Sequence, residues 1–229
     1  MSETRTMDIS QYSLDIHKHI FACWCAATAA SQVKTFRFSV ETGRNLLELA
    51  ANRRQKSESQ EFLDHINLIR TFESSVQFDM WHNTSIRNML DNEHLQRVLD
   101  FENAKRSKTK TQSRLIPAEF TYGIAAKLLN CYLKAFFIES LETKFGKLIN
   151  PPIDRLLFLG LVRDETSKPY FNFSEFLHPR HISGSPKVPA WTSLDEAAYV
   201  AILSRIKSYL SDMGIQSLWV TEFAWQGHQ

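Results

Sequence analysis

Residues 121–137, TYGIAAKLLNCYLKAFF, constrain this chain more than any other stretch. At about 100° per residue, Tyr122, Ala125, Ala126, Leu129, Tyr132, Leu133, Phe136 and Phe137 cover a broad apolar arc, and Leu128 extends it. A helix this apolar belongs inside a protein. Against the arc, Gly123, Lys127, Asn130 and Lys134 fall on one stripe at intervals of four, three and four. A narrow polar stripe on a buried helix lines a cleft or faces solvent. Lysine is costly to bury unless paired, and desolvation favours the neutral, nucleophilic amine. The same spacing also fits an amphipathic helix whose lysines simply face water, and that alternative stays open.

The remainder of the chain supports an all-α fold: one compact multi-helix domain over residues 1–229. Gly and Pro number only seven each, which leaves room for long helices rather than the frequent turns of a β-sandwich. A content of 43% hydrophobic and 23% charged residues argues against disorder. A chain of this size can bury a core without staples. The formal charge of +2 makes any nucleic-acid surface a local patch. Cys23, Cys25 and Cys131 are odd in number and lack CxxC or zinc spacing, so neither a disulfide framework, a metal nor another cofactor is expected. MSETRTMDIS has no basic segment followed by an apolar run, and no stretch approaches the ~20 apolar residues of a membrane span. The expectation is a cytoplasmic protein with no membrane partner, a monomer being favoured while the oligomeric state stays open.

Helices are expected over residues 10–31, 40–51, 61–72, 78–101 (one or two), 117–144, from 151, and 193–213. In the first, Tyr12, Ile16, Ile20, Trp24 and Ala27 form the apolar stripe, and His17, Lys18 and His19 belong to a solvated face. Ser193 and Glu196 are spaced as a capping box for the last, and Gly214 is its stop. Residues 168–189 form an aromatic, Pro- and Ser-rich loop. Leu218, Trp219, Phe223 and Trp225 are expected to pack the tail onto the body. Residues 104–114, AKRSKTKTQSR, carry Lys105, Arg106, Lys108, Lys110 and Arg114 with no acid, and read as an exposed loop. Such a loop suits phosphate contacts or serves as a solvated linker.

A second segment carries chemistry: INPPIDRLLFLGL, residues 149–161. Its prolines force an extended approach, and Asp154 then stands at the mouth of a very apolar helix. A carboxylate there accepts helix N-terminal amides. It is either a cap alone or a rigidly held carboxylate that stabilises cationic charge or moves a proton.

A buried helix bearing Lys127, followed 27 residues later by a proline-introduced Asp154 that opens the next helix, resembles the helix-hairpin-helix superfamily of DNA glycosylases. In its 8-oxoguanine branch, a lysine opening the hairpin's second helix attacks the sugar C1′. An aspartate after a Pro-Val-type step begins a later helix and assists. The resemblance puts Lys127 and Asp154 in those two places, with Ile153 before the aspartate, and covers residues 117–163. The family's glycine-rich hairpin is reduced here to Gly123, Ala125 and Ala126. The chain also resembles a group of small bacterial proteins sharing a GxAAKxxNxYLK segment (Gly123 to Lys134), PPID (Pro151 to Asp154) and a tryptophan-rich C-terminus (Trp219, Glu222, Trp225). That likeness implies phage defence by excision of glucosylated hydroxymethylcytosine.

The resemblance thus implies a glycosylase that flips a modified base out of double-stranded DNA, with phage DNA as the candidate partner, and leaves an abasic site. Asp154 would stabilise the oxocarbenium, and Lys127 would act as nucleophile or DNA contact. Asn130 and Asn150 would contact the base or orient Asp154. Trp81, Trp191 and Trp225 are candidate stacking walls, with His82 beside the first. Lys105, Arg106, Lys108, Lys110 and Lys134 would take phosphates. Two rival readings stand: an RNase of the helical nucleotide-binding type, built on the Arg-x6-His spacing of Arg87 and His94, and an interaction module whose basic loop binds an acidic partner.

Overall fold

The computed structural model describes residues 14–30, 39–51, 59–108, 120–139, 143–176 and 188–225. Every regular element among them is helical. In order they are α1 (Leu14–Ala30), α2 (Val40–Glu48), α3 (Ser59–Asn67), α4 (Ser75–Asp91), α5 (Leu95–Lys108), α6 (Tyr122–Phe137), α7 (Lys144–Leu148), α8 (Arg155–Arg163) and α9 (Glu196–Asp212). Among the 3-10 segments, Trp191–Ser193 and Leu218–Ala224 matter for the site. No described helix is long and apolar enough to cross a membrane.

The apolar arc of α6 puts it at the centre. Its residues from Tyr122 to Leu133 are all buried, as are Phe136 and Phe137. Helices α1, α2, α4 and α9 pack around it, together with the turn Trp191–Ser193. Helix α1 meets α6 through a face that the expected stripe shares only in part, with Ala27 buried and Ile16 partly packed on the core. Ala22, Cys23, Ala26, Ala27 and Ala30 are buried with His19, whereas Ile20 and Trp24 are 58% and 52% exposed. The reason is steric. Tyr132, stacked on Phe136, fills the groove from the α6 side, so the partner face must be small to reach interior packing density. His19 leaves its expected solvated face because its ring bonds the Tyr132 hydroxyl at 2.9 Å.

Several ends differ from expectation, each for a local reason. Helix α6 is shorter than residues 117–144. Thr121 caps its start and Ile138 is extended at its end. Helix α8 opens at Arg155 rather than at the prolines, because Asp154 is the cap. The α9 cap is Asp195, bonding the Ala198 amide, while Ser193 belongs to the preceding turn. Gly214 ends that helix with φ 70°. The backbone of α5 stays helical through Lys108, so the basic segment is not a loop from its beginning. Lys110 and Arg114 lie outside the described residues. In the tail, Leu218 and Trp219 are buried and Trp225 is half-buried, but Phe223 is 71% exposed, against expectation.

Candidate functional site

Asp154 divides its carboxylate between two tasks. Its Oδ1 accepts the Leu156 and Leu157 amides, both at 2.9 Å, and so caps α8. Its Oδ2 accepts from Lys127 Nζ at 3.1 Å. The two side chains are only 14% and 7% exposed, which makes this a nearly dry ion pair. The polar stripe of α6 therefore does not face bulk water. It turns toward the segment that the prolines deliver.

The Lys127 ammonium also lies 4.5 Å from the Trp191 ring centroid, over its face. That contact depends on Gly123, one turn earlier on the stripe. A Cβ there would stand 2.0 Å from the Trp191 carbonyl oxygen. The Gly123 amide donates to the Leu194 carbonyl (3.0 Å) and the Thr121 hydroxyl to that of Thr192 (2.8 Å), fastening the turn to the start of α6. The glycine that the resemblance would assign to a hairpin thus serves here as a seat for the tryptophan turn. The residues preceding Phe120, where the rest of a hairpin would stand, lie outside the described part.

Asn130 is fully buried and its amide is fully engaged. Its Nδ2 donates to the Pro151 carbonyl at 3.3 Å and to the Tyr199 hydroxyl at 2.8 Å. That leaves Oδ1 as the acceptor for His82 Nε2 at 2.7 Å, so this ring nitrogen carries the proton. Burial holds the His82 ring at a pKa of about 4, which keeps it neutral. This network pins the Pro151 carbonyl to α6, and Pro151 begins the step to Asp154. Asn130 and His82 accordingly orient the site. Asn150 is also fully buried, yet neither polar atom of its side chain has a partner among the described residues.

A second charged pair lies two turns along the same stripe, where Lys134 contacts Glu222. Lys134 sits 5.7 Å from the Trp219 ring centroid, so it is engaged by the tail segment rather than presented to phosphates. Glu222 comes from Leu218–Ala224, which packs on α7, α8 and α9. Gly160 admits that segment, since a Cβ there would stand 1.9 Å from the Ala224 carbonyl oxygen. Burial, then the nearby Asp154 charge, raise the Glu222 carboxyl above its ordinary range against the pull of Lys134. Cys131 lies in the field of all four charged groups, and burial pushes its thiol up to about 12, so it is not a thiolate nucleophile.

Sequence spacing thus locates Lys127, Asp154 and Asn130, and the structure brings them together. It does not bring Trp81 to them. That ring packs 4.9 Å from His65 and against Phe72 and Phe78. Trp225 is half-buried beyond the tail segment, with a buried, unpartnered Nε1. The side chains of Lys105, Arg106 and Lys108 fall outside the described part. Arg87 is bound by both carboxylate oxygens of Glu196, at 2.9 and 2.5 Å, while His94 lies in the turn after α4, 3.6 Å from Glu93. Glu222 is the residue that spacing alone did not place in the site. The chain matches no family model, no curated protein and no solved structure.

Proposed function

We propose that the protein is a DNA N-glycosylase that excises a modified base, with Asp154 as the group that stabilises the cationic sugar. One observation carries the reading: Lys127 and Asp154, 27 residues apart, meet at 3.1 Å beneath the Trp191 ring in a nearly dry setting. Breaking the N-glycosidic bond leaves its electrons on the base and oxocarbenium character on the sugar. A preorganised carboxylate in a low-dielectric site stabilises that charge far more than water would. Asp154 is preorganised by two helix amides and an upstream proline carbonyl tied to Asn130.

An amine in an ion pair carries its proton and has no lone pair for attack. Lys127 therefore acts as a charge partner and DNA contact, yielding Asp154 to the sugar as substrate enters. A flipped base needs polar groups for its edge, and the unpartnered amide of Asn150 offers both a donor and an acceptor. For the phosphates, Lys144, Lys147 and Lys207 line a cleft of about 900 Å³ that reaches Leu218, the first residue of the tail segment. Glu73 shares that cleft and Asp79 pairs with Lys207, so its basic character rests on Lys144 and Lys147.

The test is exposure of duplexes containing unmodified, hydroxymethylated or glucosylated hydroxymethylated cytosine to the protein, followed by an abasic-site assay. Asp154→Asn is expected to keep DNA affinity and lose base release by on the order of 10² to 10³, the scale for one preorganised electrostatic group. Lys127→Ala is expected to weaken binding, with no borohydride-trappable adduct from the wild type. A trapped adduct would restore Lys127 as nucleophile. Full activity in both variants would end the assignment.

A further inference from the structure

We propose that Glu222 is the general base of this site, taking the proton from the water that attacks the sugar C1′; the proposal rests on the glycosylase reading above. Geometry supplies the argument. Lys127 and Lys134 stand two turns apart on one stripe of α6, and each holds one carboxylate, Asp154 from the start of α8 and Glu222 from the tail. The rise between the lysines is about 10 Å. The Asp154 charge reaches Glu222, and both carboxylates act on Cys131, which stands between the two lysines along α6.

The two oxygens of Glu222 are in different states. Oε2 meets Lys134, while Oε1 is buried without any partner among the described residues. A buried, unpartnered carboxylate oxygen costs free energy that a bound water or substrate group would recover. In a 3-10 helix, residues three apart eclipse, so Trp219 and Glu222 share one face, and Trp225 is the residue that ends the segment. The indole nitrogens of both tryptophans are likewise buried and unpartnered. Trp219 Nε1 and Glu222 Oε1 thus leave one donor and one acceptor without a partner among the described residues on that face.

The step balances as follows. The C1′–N bond breaks and its electron pair goes to the base. Water oxygen bonds C1′ and one of its protons passes to Glu222. Glu222 then returns that proton to the departed base, leaving an abasic sugar with a C1′ hydroxyl. Asp154 stabilises the cation and takes no proton.

The charged groups acting on Glu222 are Lys134 from α6 and Asp154 from the start of α8. The base must be ionised to work, so activity should fall at acid pH as Glu222 takes up its proton. Single-turnover base release should be measured across pH on duplex DNA containing glucosylated 5-hydroxymethylcytosine. Glu222→Gln, which can still accept from Lys134, is expected to lose 10²- to 10⁴-fold, the range for general base catalysis. DNA binding and thermal midpoint should be retained. Lys134→Gln should shift the acid limb of the profile to higher pH, because the cation that lowers the Glu222 carboxyl is gone. That variant decides the matter if Glu222→Gln does not fold. A wild-type rate in Glu222→Gln, or an unmoved acid limb in Lys134→Gln, overturns the role while leaving the glycosylase reading intact. A wild-type protein that releases no base overturns both.

Discussion

Asp154 performs two tasks with two oxygens, and asparagine can replace only one of them. An amide caps a helix nearly as well as a carboxylate. It cannot also face Lys127 without turning a donor toward an ammonium. Asp154→Asn is therefore expected to destabilise the fold by about 3 kcal/mol, the scale for removing one partner of a buried pair. Adding Lys127→Met should recover part of that loss. A urea-unfolding cycle over the two positions is expected to give a coupling of about 1 kcal/mol or more, and a coupling near zero would show the pair to be inert. Lys127 and Asp154 were legible in the sequence because each announces itself locally, one by helical spacing and one by a proline-led cap. Glu222 was not. The apolar residues around it mark the tail as packed on the body, but its place beside Lys134 depends on the tail meeting Gly160, and no local pattern records that contact. Trp191 was legible as a stacking wall and Gly123 as a member of the polar stripe, but their contact was not, because it depends on a turn 68 residues away in sequence.

At the scale of elements, two glycines determine where the covering segments sit. A Cβ at Gly123 or Gly160 would meet backbone oxygen at 2.0 or 1.9 Å, and backbone cannot swing aside as a side chain does. Gly123→Ala and Gly160→Ala should each cost about 1–3 kcal/mol, the usual range for overpacking. Gly214→Ala differs in kind. There is open space at that position, and the cost comes only from φ 70°, at roughly 1 kcal/mol. Chemical denaturation of the three variants checks the order; equal costs would mean that the covers move freely. The part of α1 that pattern alone does not read has the same root as the packing role of the two glycines. Amphipathic patterns find large apolar residues, whereas α1 is held by its smallest ones, and Ile20 and Trp24 stay outside.

For the whole molecule, two buried histidines and the half-buried His65 set the response to acid. His19, His65 and His82 are each held at a pKa of about 4 by burial, with Arg44 adding to the effect at His19. Unfolded, each would titrate near 6.5. Between those values the unfolded chain binds more protons, so their contribution is fully present above about 6.5 and lost as pH falls toward 4. Glu222, whose carboxyl is raised, acts in the opposite sense, one group against three. The thermal midpoint is expected to fall steadily from pH 7 to pH 4.5, and His82→Gln should flatten the slope. A midpoint constant over that interval would show that these rings are solvated. The all-helical architecture was legible because helical periodicity survives averaging over many residues. The packing partners were not, since they depend on which surfaces happen to be small.

Helix α6 is enclosed along almost its whole length, yet its two lysines are covered by 3-10 segments rather than by α-helices. A three-residue turn lies over Lys127 and a seven-residue 3-10 segment over Lys134. Such segments have poorer hydrogen-bond geometry than α-helix and few bonds to break. Exposing the charged stripe therefore requires only local opening, far below the free energy of global unfolding, while the helix that carries the lysines stays intact. Permanence and access are thus separated: one long element holds the chemistry, and two short segments lie between it and solvent.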